Sequence, residues 1–217
     1  MEKITDKTGR IAFIGGGMMA EAILKGMLHK EIAEPEMIII SDPSAGRREY
    51  LEKTYKVNTT GCNAEAVKTA GFVILAVKPQ VADAAITKEV ADAIPQNTTV
   101  LSIMGSVNLD KLHKLVPGHA VIRVMPNTPL AVGCGMTAIA PDENVSKEML
   151  DVAKAVFGSC GEIEIIAESA IEAIAAVSGC GPGYVFMMID ALADAGVNAG
   201  LPRAMAINCL LYTSDAA

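Results

Sequence analysis

The stretch that most constrains how this chain can fold lies near its start, where residues 10–28 read RIAFIGGGMMAEAILKGML. It opens with an unbroken apolar run at residues 11–14, which is typical of a strand buried on both faces. Gly15, Gly17 and Ala20 follow at the G-x-G-x-x-G/A spacing, and beyond them the apolar residues recur at helical intervals. The pattern therefore predicts a strand, a tight glycine turn and an amphipathic helix in direct succession.

Each small residue in this turn has a physical role in binding a dinucleotide. Gly15 allows the tight turn, Gly17 lets the backbone approach a pyrophosphate, and Ala20 lets the helix pack close to the strand. The free N–H groups and the positive end of the helix dipole would then face the phosphates. A plain glycine turn is the alternative, but the strand and the helix on either side favour a nucleotide site.

The composition is typical of a folded protein with a sizeable core, because 51% of the 217 residues are apolar. A net charge of −7 argues against a nucleic-acid partner. The five cysteines are scattered and never form a C-x-x-C pair, so neither a disulfide framework nor a zinc site is expected, and a reducing cytoplasm is the simpler interpretation. The charged N-terminus leads directly into the first predicted strand, which leaves no room for a signal peptide.

One apolar segment is long enough to invite comparison with a membrane span. Residues 173–189 carry no charge, but Gly179, Gly181, Pro182 and Gly183 interrupt them. We therefore expect two buried helices that meet at a turn, and no crossing of a membrane.

The end of the second predicted strand, at residues 37–40, is where a dinucleotide fold reads the adenosine ribose. Asp42 would bond the 2′-hydroxyl there and favour NAD, whereas nearby serine and arginine side chains would accommodate the 2′-phosphate of NADP. Asp42 also precedes Pro43, as an N-cap residue precedes a proline at the first helical position. These interpretations stay open, and the cofactor is predicted as NADPH or NADH. The serines and arginines concerned are Ser41, Ser44, Arg47 and Arg48.

Further apolar runs predict strands at residues 72–77, 99–104, 120–125 and 162–166. Helical patterns between them indicate an α/β fold with a mainly parallel sheet. Lys78 follows the carboxyl end of one strand, the edge where open α/β sheets bind ligands, although an exposed loop lysine is the alternative. Asn63 precedes a short helix and is either its N-cap or a ligand contact.

The strand at residues 120–125 contains a charge, Arg123, which needs a partner or a water-filled edge. Residues 125–129 then predict a rigid loop and residues 133–135 a turn, both on the cofactor side. The three histidines are expected at the surface, beside peripheral helices. They are His29, His113 and His119.

The pattern changes after Ile166 from alternating strands and helices to consecutive apolar helices. Residues 169–172 read as a capping box that starts one helix, a second helix runs from Pro182 to Gly200, and a third begins near Pro202. We therefore expect a Rossmann domain over residues 1–166 and a small helical domain over residues 167–217, which buries its surface on the first domain or on a partner subunit.

The chain resembles the pyrroline-5-carboxylate reductases over about residues 9–206. The matching stretches are FIGGGMMAEAILKG, ILAVKPQ, RVMPNTPLAVGCGMTA, AVSGCGPGYVF and ALADAGVNAGLPR, in the order and at the spacing of the family. The resemblance implies reduction of 1-pyrroline-5-carboxylate to L-proline with NADPH or NADH, the last step of proline biosynthesis. It also implies that the helical domain forms an intertwined homodimer.

The resemblance also implies which residues form the site. The cofactor contacts are expected at Ile14, Gly15, Gly16, Gly17, Met18, Met19, Ala20, Ser41, Asp42, Asn63, Ala76, Val77, Lys78 and Pro79. The segment that faces the substrate corresponds to Ser178, Gly179, Gly181, Pro182 and Tyr184.

Two departures from the family pattern affect this expectation. Residues 104–106 read Met-Gly-Ser where the family usually has Ala-Gly, a mild change near the nicotinamide. The family continues after the GLPR helix into further helices with a Thr-Gly segment that holds the substrate carboxylate. Here the resemblance fades near Asn208, and the residues up to Ala217 look like a truncated or foreign end. We therefore expect weak dimerisation, slow turnover, and exposed apolar residues on the second helix.

Hydride transfer to a protonated imine asks little of side chains, because the positive charge of the iminium already activates the carbon. It needs the two reacting carbons held about 3–3.5 Å apart in a site that excludes water, and neither a nucleophile nor a metal. No general acid is assigned. A β-hydroxyacid dehydrogenase of similar plan would need a lysine on the helix after the last strand, and residues 169–178 contain none. A further alternative is a non-catalytic NAD(P)-binding remnant.

Overall fold

The computed structural model describes residues 3–215, which form one eight-stranded sheet and the helices around it. The strands lie in the order β3-β2-β1-β4-β5-β6-β7-β8. Their bounds are β1 Arg10–Ile14, β2 Ile38–Ser41, β3 Asn58–Thr60, β4 Ala70–Leu75, β5 Thr99–Ser102, β6 Val121–Met125, β7 Gly135–Pro141 and β8 Gly161–Ile165. Neighbours from β3 to β6 pair in parallel, whereas β7 is antiparallel to β6 and parallel to β8. The predicted Rossmann-type, mainly parallel sheet is confirmed.

Helices connect the strands and continue beyond the last one. The α-helices are α1 Ile4–Thr8, α2 Met18–His29, α3 Ala45–Tyr55, α4 Asn63–Val67, α5 Ala82–Ala85, α6 Lys88–Ala93, α7 Leu109–Leu115, α8 Lys147–Gly158, α9 Ile171–Ile174, α10 Gly181–Asn198 and α11 Arg203–Asp215. Short 3-10 helices lie at Pro35–Met37, Pro79–Val81, Thr128–Val132 and Glu168–Ala170, and a π-helical turn lies at Ala175–Gly179. The sequence pattern predicts that the N-terminal residues lead into β1 without a preceding helix. This is wrong, because α1 precedes β1 and contributes Ile4 to the core.

Helices cover both faces of the sheet, and β1 shows why its apolar run is unbroken. Ile11 and Phe13 point into one core cluster, and Ala12 and Ile14 point into the other. All four side chains are fully buried. Because successive residues of a strand face opposite sides, a strand covered on both sides must be apolar at every position.

The sequence pattern did not indicate two of the strands. β3 has three residues, Asn-Thr-Thr, which carry no apolar alternation. β7 begins at Gly135, inside the predicted turn at residues 133–135, and the turn itself is made by Gly133 with φ +76°. Gly135 lets β7 pass close to its neighbours, because a Cβ there would lie 2.9 Å from the Cα of Leu130. Glycine therefore marks a close approach within the strand here, as well as a turn.

The helical region after the sheet differs from its prediction. The backbone stays helical between α9 and α10, and Cys180, at φ −90° and ψ −23°, joins the π-helical turn to α10. The glycines therefore fall in this turn and in the first turns of α10, so the predicted turn between two helices is wrong. The predicted capping box at residues 169–172 is also wrong, because Ser169 lies inside a 3-10 helix and the Glu172 side chain accepts a hydrogen bond from Arg123.

The second helix is largely exposed in the single chain, so the expectation of a buried helix is wrong and the expectation of exposed apolar residues on it is confirmed. Val185, Met188, Leu192 and Val197, which we call the apolar helix face, are between 41% and 63% exposed. By length and composition alone, Glu168–Asn198 is apolar enough to cross a membrane, which for a single helix is weak support for a span. A helix with this much exposed apolar surface usually marks a binding surface.

The expectation of surface histidines fails for one of the three. His119 is buried, and its Nδ1 lies 3.3 Å from the carbonyl oxygen of Thr98. His113 is partly exposed, and its Nε2 lies 3.2 Å from Asp142 Oδ2. Both residues lie by the amino ends of β5 and β6, away from the edge where the cofactor loops meet.

Candidate active site

The candidate site lies at the carboxyl edge of the sheet, where the loops after β1, β2, β4, β5 and β6 come together. The Gly15 N–H donates to the carbonyl of Ser41 at 2.8 Å, and the Ala76 N–H donates to the carbonyl of Ile14 at 2.8 Å. These bonds hold the ends of β2, β1 and β4 side by side. Parallel strands end at the same edge, so residues far apart in sequence meet there.

Gly15 is the residue that lets the turn after β1 pass against the end of β4. Its φ is +97°, in the region that favours glycine. A Cβ at this position would lie 2.8 Å from the carbonyl oxygen of Ala76 and 3.0 Å from Cγ1 of Val77. Both the conformation and the space therefore require glycine, as the motif predicts.

Gly17 has the opposite surroundings. No heavy atom lies within 4 Å of the position that its Cβ would take, so the backbone faces open space. The first bond within α2 runs from the Glu21 N–H to the Gly17 carbonyl at 3.0 Å, which leaves the N–H groups of Met18, Met19 and Ala20 without an intrahelical acceptor. This open cradle at a helix N-terminus fits a pyrophosphate.

Asp42 supports the glycine turn from the end of β2. Its Oδ2 accepts from the Gly16 N–H at 3.0 Å, and its Oδ1 accepts from the Ser44 N–H at 2.9 Å. α3 begins only at Ala45, and its N-cap is Ser44, whose Oγ accepts from the Arg47 N–H at 3.3 Å. The interpretation of Asp42 as the N-cap is therefore wrong.

Two arginines lie beside the same turn. Arg47 donates from Nε to the Gly16 carbonyl at 2.5 Å and from Nη2 to Glu21 Oε2 at 2.5 Å. Arg48 donates from Nη1 to the Asp42 carbonyl at 2.7 Å. Their guanidinium groups place positive charge at the strand end where a dinucleotide fold holds the adenosine ribose and a 2′-phosphate.

Glu21, in α2, pairs with Arg47 and also accepts hydrogen bonds from two tyrosines of α3. The sequence pattern did not indicate these contacts between the two helices. Tyr55 Oη donates to Glu21 Oε1 at 2.7 Å, and Tyr50 Oη donates to the same oxygen at 2.9 Å. Partial burial raises the pKa of Glu21, but the hydrogen bonds from Tyr55, Arg47 and Tyr50 outweigh it, so the pKa lies below its usual value. Glu21 is therefore ionised at neutral pH and pairs with Arg47.

Ser41 and Asn63, two predicted cofactor contacts, are held against each other. Ser41 is fully buried and donates from Oγ to Asn63 Oδ1. Asn63 donates from Nδ2 to the Ala85 carbonyl at 2.9 Å. Asn63 is the first residue of α4 and the N-cap is Cys62, so the alternative of Asn63 as a cap is wrong. Its place at the edge of the sheet agrees with the predicted contact.

The loop after β4 contributes Ala76, Val77, Lys78 and Pro79 to the same edge. β4 ends at Leu75, two residues earlier than the apolar run suggests, so Ala76 and Val77 already belong to the loop. Lys78 is exposed and precedes the 3-10 helix Pro79–Val81. The apolar loop residues line the turn made by Gly15, which is why the run continues past the strand.

The predicted substrate segment reaches the sheet through Met125, at the end of β6. A Cβ at Gly105, in the loop after β5, would lie 3.3 Å from Met125 Sδ, and a Cβ at Gly179 would lie 3.1 Å from Met125 Cε. The π-helical turn therefore packs onto the loops at the ends of β5 and β6. Ser178 and Gly179 thus lie at the same edge as the cofactor loops.

The rest of the predicted substrate segment forms the start of α10. Gly181 and Pro182 are its first two residues, and Tyr184 is about half exposed. Hydrogen bonding with the Cys180 side chain raises the pKa of Tyr184, so its phenol stays protonated at neutral pH. The segment therefore presents neutral polar groups, which agrees with a site that leaves a cationic imine to accept hydride.

Arg123 ties β6 to the start of the helical region and has the partners that the sequence required. It is 3% exposed, and its Nη2 donates to the Gly105 carbonyl at 2.7 Å. Nη1 donates to Glu168 Oε1 at 3.0 Å, and Nη2 donates to Glu172 Oε1 at 3.0 Å. Glu168 Oε1 also accepts from the Leu109 N–H at 2.6 Å. The predicted need for a partner is confirmed, but nothing in the local sequence identified these carboxylates.

Arg123→Met is expected to destabilise the protein by about 2 kcal/mol, because hydrogen bonds that involve a charged group contribute about 1.5–3 kcal/mol. The loss comes from the Gly105 and Glu168 bonds, since Glu172 is largely exposed. Urea unfolding measures it, with Arg10→Met as the control, because Arg10 makes one long exposed contact, 3.5 Å to Thr69 Oγ1. Equal unfolding midpoints for the two variants would contradict the structural role of Arg123.

Asp42→Ala is expected to weaken the binding of NADH more than the binding of NADPH. On the prediction that Asp42 accepts from the ribose 2′-hydroxyl, the substitution removes this acceptor and also a negative charge that would oppose a 2′-phosphate, while the loss of the Gly16 bond affects the binding of both cofactors. The ratio of the two dissociation constants should change by about tenfold, or about 1.4 kcal/mol. Fluorescence titrations of wild type and variant with each cofactor measure it. An unchanged ratio would show that Asp42 only supports the turn.

The sheet order, the glycine turn and the open helix N-terminus define a dinucleotide-dependent oxidoreductase of the Rossmann class. Residues 10–106 match the family model described as NADP oxidoreductase coenzyme F420-dependent, and residues 168–217 match the one described as pyrroline-5-carboxylate reductase dimerisation. The chain belongs to the pyrroline-5-carboxylate reductase family.

Relatives and solved structures support this assignment over most of the chain. A pyrroline-5-carboxylate reductase from Synechocystis sp. is 45% identical over 204 residues, which cover 94% of this chain and 76% of that protein. The Escherichia coli reductase is 37% identical over 199 residues, covering 91% and 73%. The structure of the Plasmodium falciparum reductase with NADP bound has a TM-score of 0.85 at 31% identity, covering 95% of this chain and 76% of that one.

Proposed function

We propose that this protein reduces 1-pyrroline-5-carboxylate to L-proline with NADPH or NADH. The observation that carries the proposal is the 45% identity to a pyrroline-5-carboxylate reductase across 94% of the chain. The geometry agrees, because the glycine turn and the segment of residues 178–184 lie at one edge of the sheet. An oxidoreductase of this family with a nicotinamide cofactor is the function that fold and comparisons support together.

The bound nicotinamide cofactor supplies the hydride, and the residues of the chain bind and orient the two reactants. Gly17 and the first N–H groups of α2 form the cradle for the pyrophosphate. The loops after β4 and β5 line the edge next to it, and the lack of a side chain at Gly179 lets the substrate segment pack close to Met125 beside these loops. The remaining cofactor and substrate contacts predicted from the sequence are part of the proposal, which assigns no general acid.

The test is formation of proline from 1-pyrroline-5-carboxylate by the purified chain with NADPH and NADH in turn. Oxidation of cofactor together with equimolar proline is the expected result. Cofactor binding without turnover would favour a non-catalytic NAD(P)-binding remnant. Turnover of other cyclic imines, but not of 1-pyrroline-5-carboxylate, would favour a different imine reductase. A variant imine reductase from Myxococcus stipitatus has a TM-score of 0.66 at 14% identity, a likeness of fold alone.

We also propose the division into a Rossmann domain, residues 1–166, and a helical domain, residues 167–217, that forms a homodimer. The sheet ends at Ile165, and the dimerisation model matches residues 168–217. The apolar helix face gives such a partner a surface to cover. Light scattering over a range of protein concentrations tests this: because the dimer is expected to be weak, the mass should rise from monomer towards dimer with concentration, and a monomer at every concentration, or recovery only with detergent, would contradict it.

A cytoplasmic location completes the proposal. Cys62, Cys134, Cys180 and Cys209 are exposed thiols and Cys160 is a buried one. Free exposed thiols are typical of a reducing compartment. Fractionation of cells that express the tagged chain tests the location, and recovery with the membrane fraction would overturn it.

A further inference from the structure

One buried amide connects the sheet to the predicted substrate segment, and no local sequence pattern indicates this contact. Asn127 follows β6 and is 8% exposed. Its Nδ2 donates to the Ser178 carbonyl at 3.0 Å, and its Oδ1 accepts from the Met136 N–H at 2.9 Å. Both ends of one side chain are thus used, and the backbone of β7 is joined to the backbone of the π-helical turn.

The Ser178 carbonyl needs a donor from outside its own helix. In a regular α-helix it would accept from the N–H of residue 182, but that residue is Pro182, which has no N–H. The neighbouring N–H groups bond to other carbonyls: the Cys180 N–H donates to the Ala175 carbonyl, and the Gly183 N–H donates to the Cys180 carbonyl. A partly buried carbonyl without a donor is costly, and the amide of Asn127 supplies the donor.

Met125 acts on the same turn from another side. A Cβ at Gly179 would lie 3.1 Å from Met125 Cε, so the lack of a side chain at this position lets the turn pack close to the end of β6. The Asn127 bond prevents it from moving away. This close packing and the Asn127 bond hold Ser178 and Gly179 at the edge where the cofactor loops lie. π-Helical turns are frequent at functional sites, where they re-aim the following residues.

We propose that Asn127 is a positioning residue for reduction of the imine: it holds the Ser178 carbonyl and thereby sets the distance between the substrate segment and the nicotinamide. The inference rests on the proposed function for the identity of the substrate. Asn127 acts through Ser178, and its effect is on geometry. Displacement of a reactant by about 1 Å can reduce a rate on the order of a hundredfold, so a single hydrogen bond here has kinetic consequences.

Asn127→Asp is the sharpest test, because it keeps the acceptor for the Met136 N–H and replaces the donor to Ser178 by a carboxylate oxygen, which cannot donate. We expect kcat/KM for 1-pyrroline-5-carboxylate to fall roughly ten- to a hundredfold, with KM for the imine raised. The dissociation constant of NADPH should change less than about twofold, because the glycine turn is untouched. Hydrogen exchange of the amides in residues 175–184 should become faster.

Two further variants separate positioning from general damage. Asn127→Ala removes the donor to Ser178, together with the acceptor for the Met136 N–H, without adding charge, and it should show the same changes if the aspartate variant folds poorly. Asn58→Asp is the matched control, because Asn58 also donates from Nδ2 to a backbone carbonyl, that of Glu36 at 2.8 Å, at the far edge of the sheet. It should leave the KM for the imine unchanged.

The outcomes distinguish this inference from the proposed function. Faster exchange at residues 175–184 together with a raised KM for the imine supports positioning by Asn127. Unchanged exchange and KM overturn it, and so does a loss of kcat that only follows the folded fraction while KM stays constant. A wild-type chain that binds NADPH but makes no proline refutes the proposed function, and the exchange measurement alone then decides whether Asn127 holds the turn.

Discussion

Gly17→Val is expected to abolish NADPH binding while the protein stays folded. Gly17 has φ −66° and ψ −175°, an extended conformation that valine adopts easily, and no atom lies within 4 Å of its Cβ position. The valine side chain would therefore enter the open cradle in front of α2, where the pyrophosphate must approach the backbone. We expect affinity to fall by at least about a hundredfold, which corresponds to about 2.8 kcal/mol.

Cofactor fluorescence titration measures this loss, and thermal unfolding without cofactor shows whether the fold persists. Gly158→Val, at the end of α8, is the matched control, because its Cβ also meets nothing within 4 Å. It should bind NADPH as the wild type does. Undiminished binding by the Gly17 variant would refute the assignment of the glycine turn to the cofactor.

The cofactor half of the site could be predicted from the sequence because its signals are local. The turn residues from Gly15 to Ala20 lie between a strand and a helix that their own apolar patterns reveal. The topology then brings Asp42, Asn63 and Lys78 to the same edge, since each follows the end of a parallel strand. What the sequence could not decide was the bonding of Asp42, because Gly16, its partner, is 26 positions away.

The substrate half depends on contacts that no local pattern contains. Asn127 meets Ser178, and Arg123 meets Glu168 and Glu172, across more than 40 positions of sequence. The sequence shows that a buried arginine needs a partner, but not which one. The sequence contains one signal of the contact made by Asn127, which is Pro182. A proline early in a helix leaves a carbonyl in the preceding turn without its donor, so that carbonyl needs a donor from elsewhere.

For α10 the sequence led to two competing expectations, a buried helix and exposed apolar residues, and only the second is confirmed. An apolar helix pattern shows that a face must be covered, but it does not say whether the same chain covers it. In the single chain, Val185, Met188, Leu192 and Val197 remain exposed. The 51% apolar composition therefore overstated the core that one chain builds for itself.

Gly15 offers the contrasting experiment within the same motif, because here glycine is required by the fold itself. The backbone at Gly15 has φ +97°, a conformation that strains any other residue by about 1–3 kcal/mol. Its Cβ would also lie 2.8 Å from the Ala76 carbonyl oxygen, a backbone atom that moves only if the end of β4 moves. Overpacking of this kind costs about 1–3 kcal/mol more.

Gly15→Ala is therefore expected to lower the free energy of unfolding by about 2–6 kcal/mol, before any effect on the cofactor. Urea unfolding without cofactor measures it as a shift in midpoint with an unchanged slope. Gly46→Ala, in α3, is the control: its Cβ meets nothing within 4 Å, and helix propensity should stabilise the protein by up to about 1 kcal/mol. If Gly15→Ala unfolds at the wild-type midpoint, the turn after β1 does not pass against β4 as described.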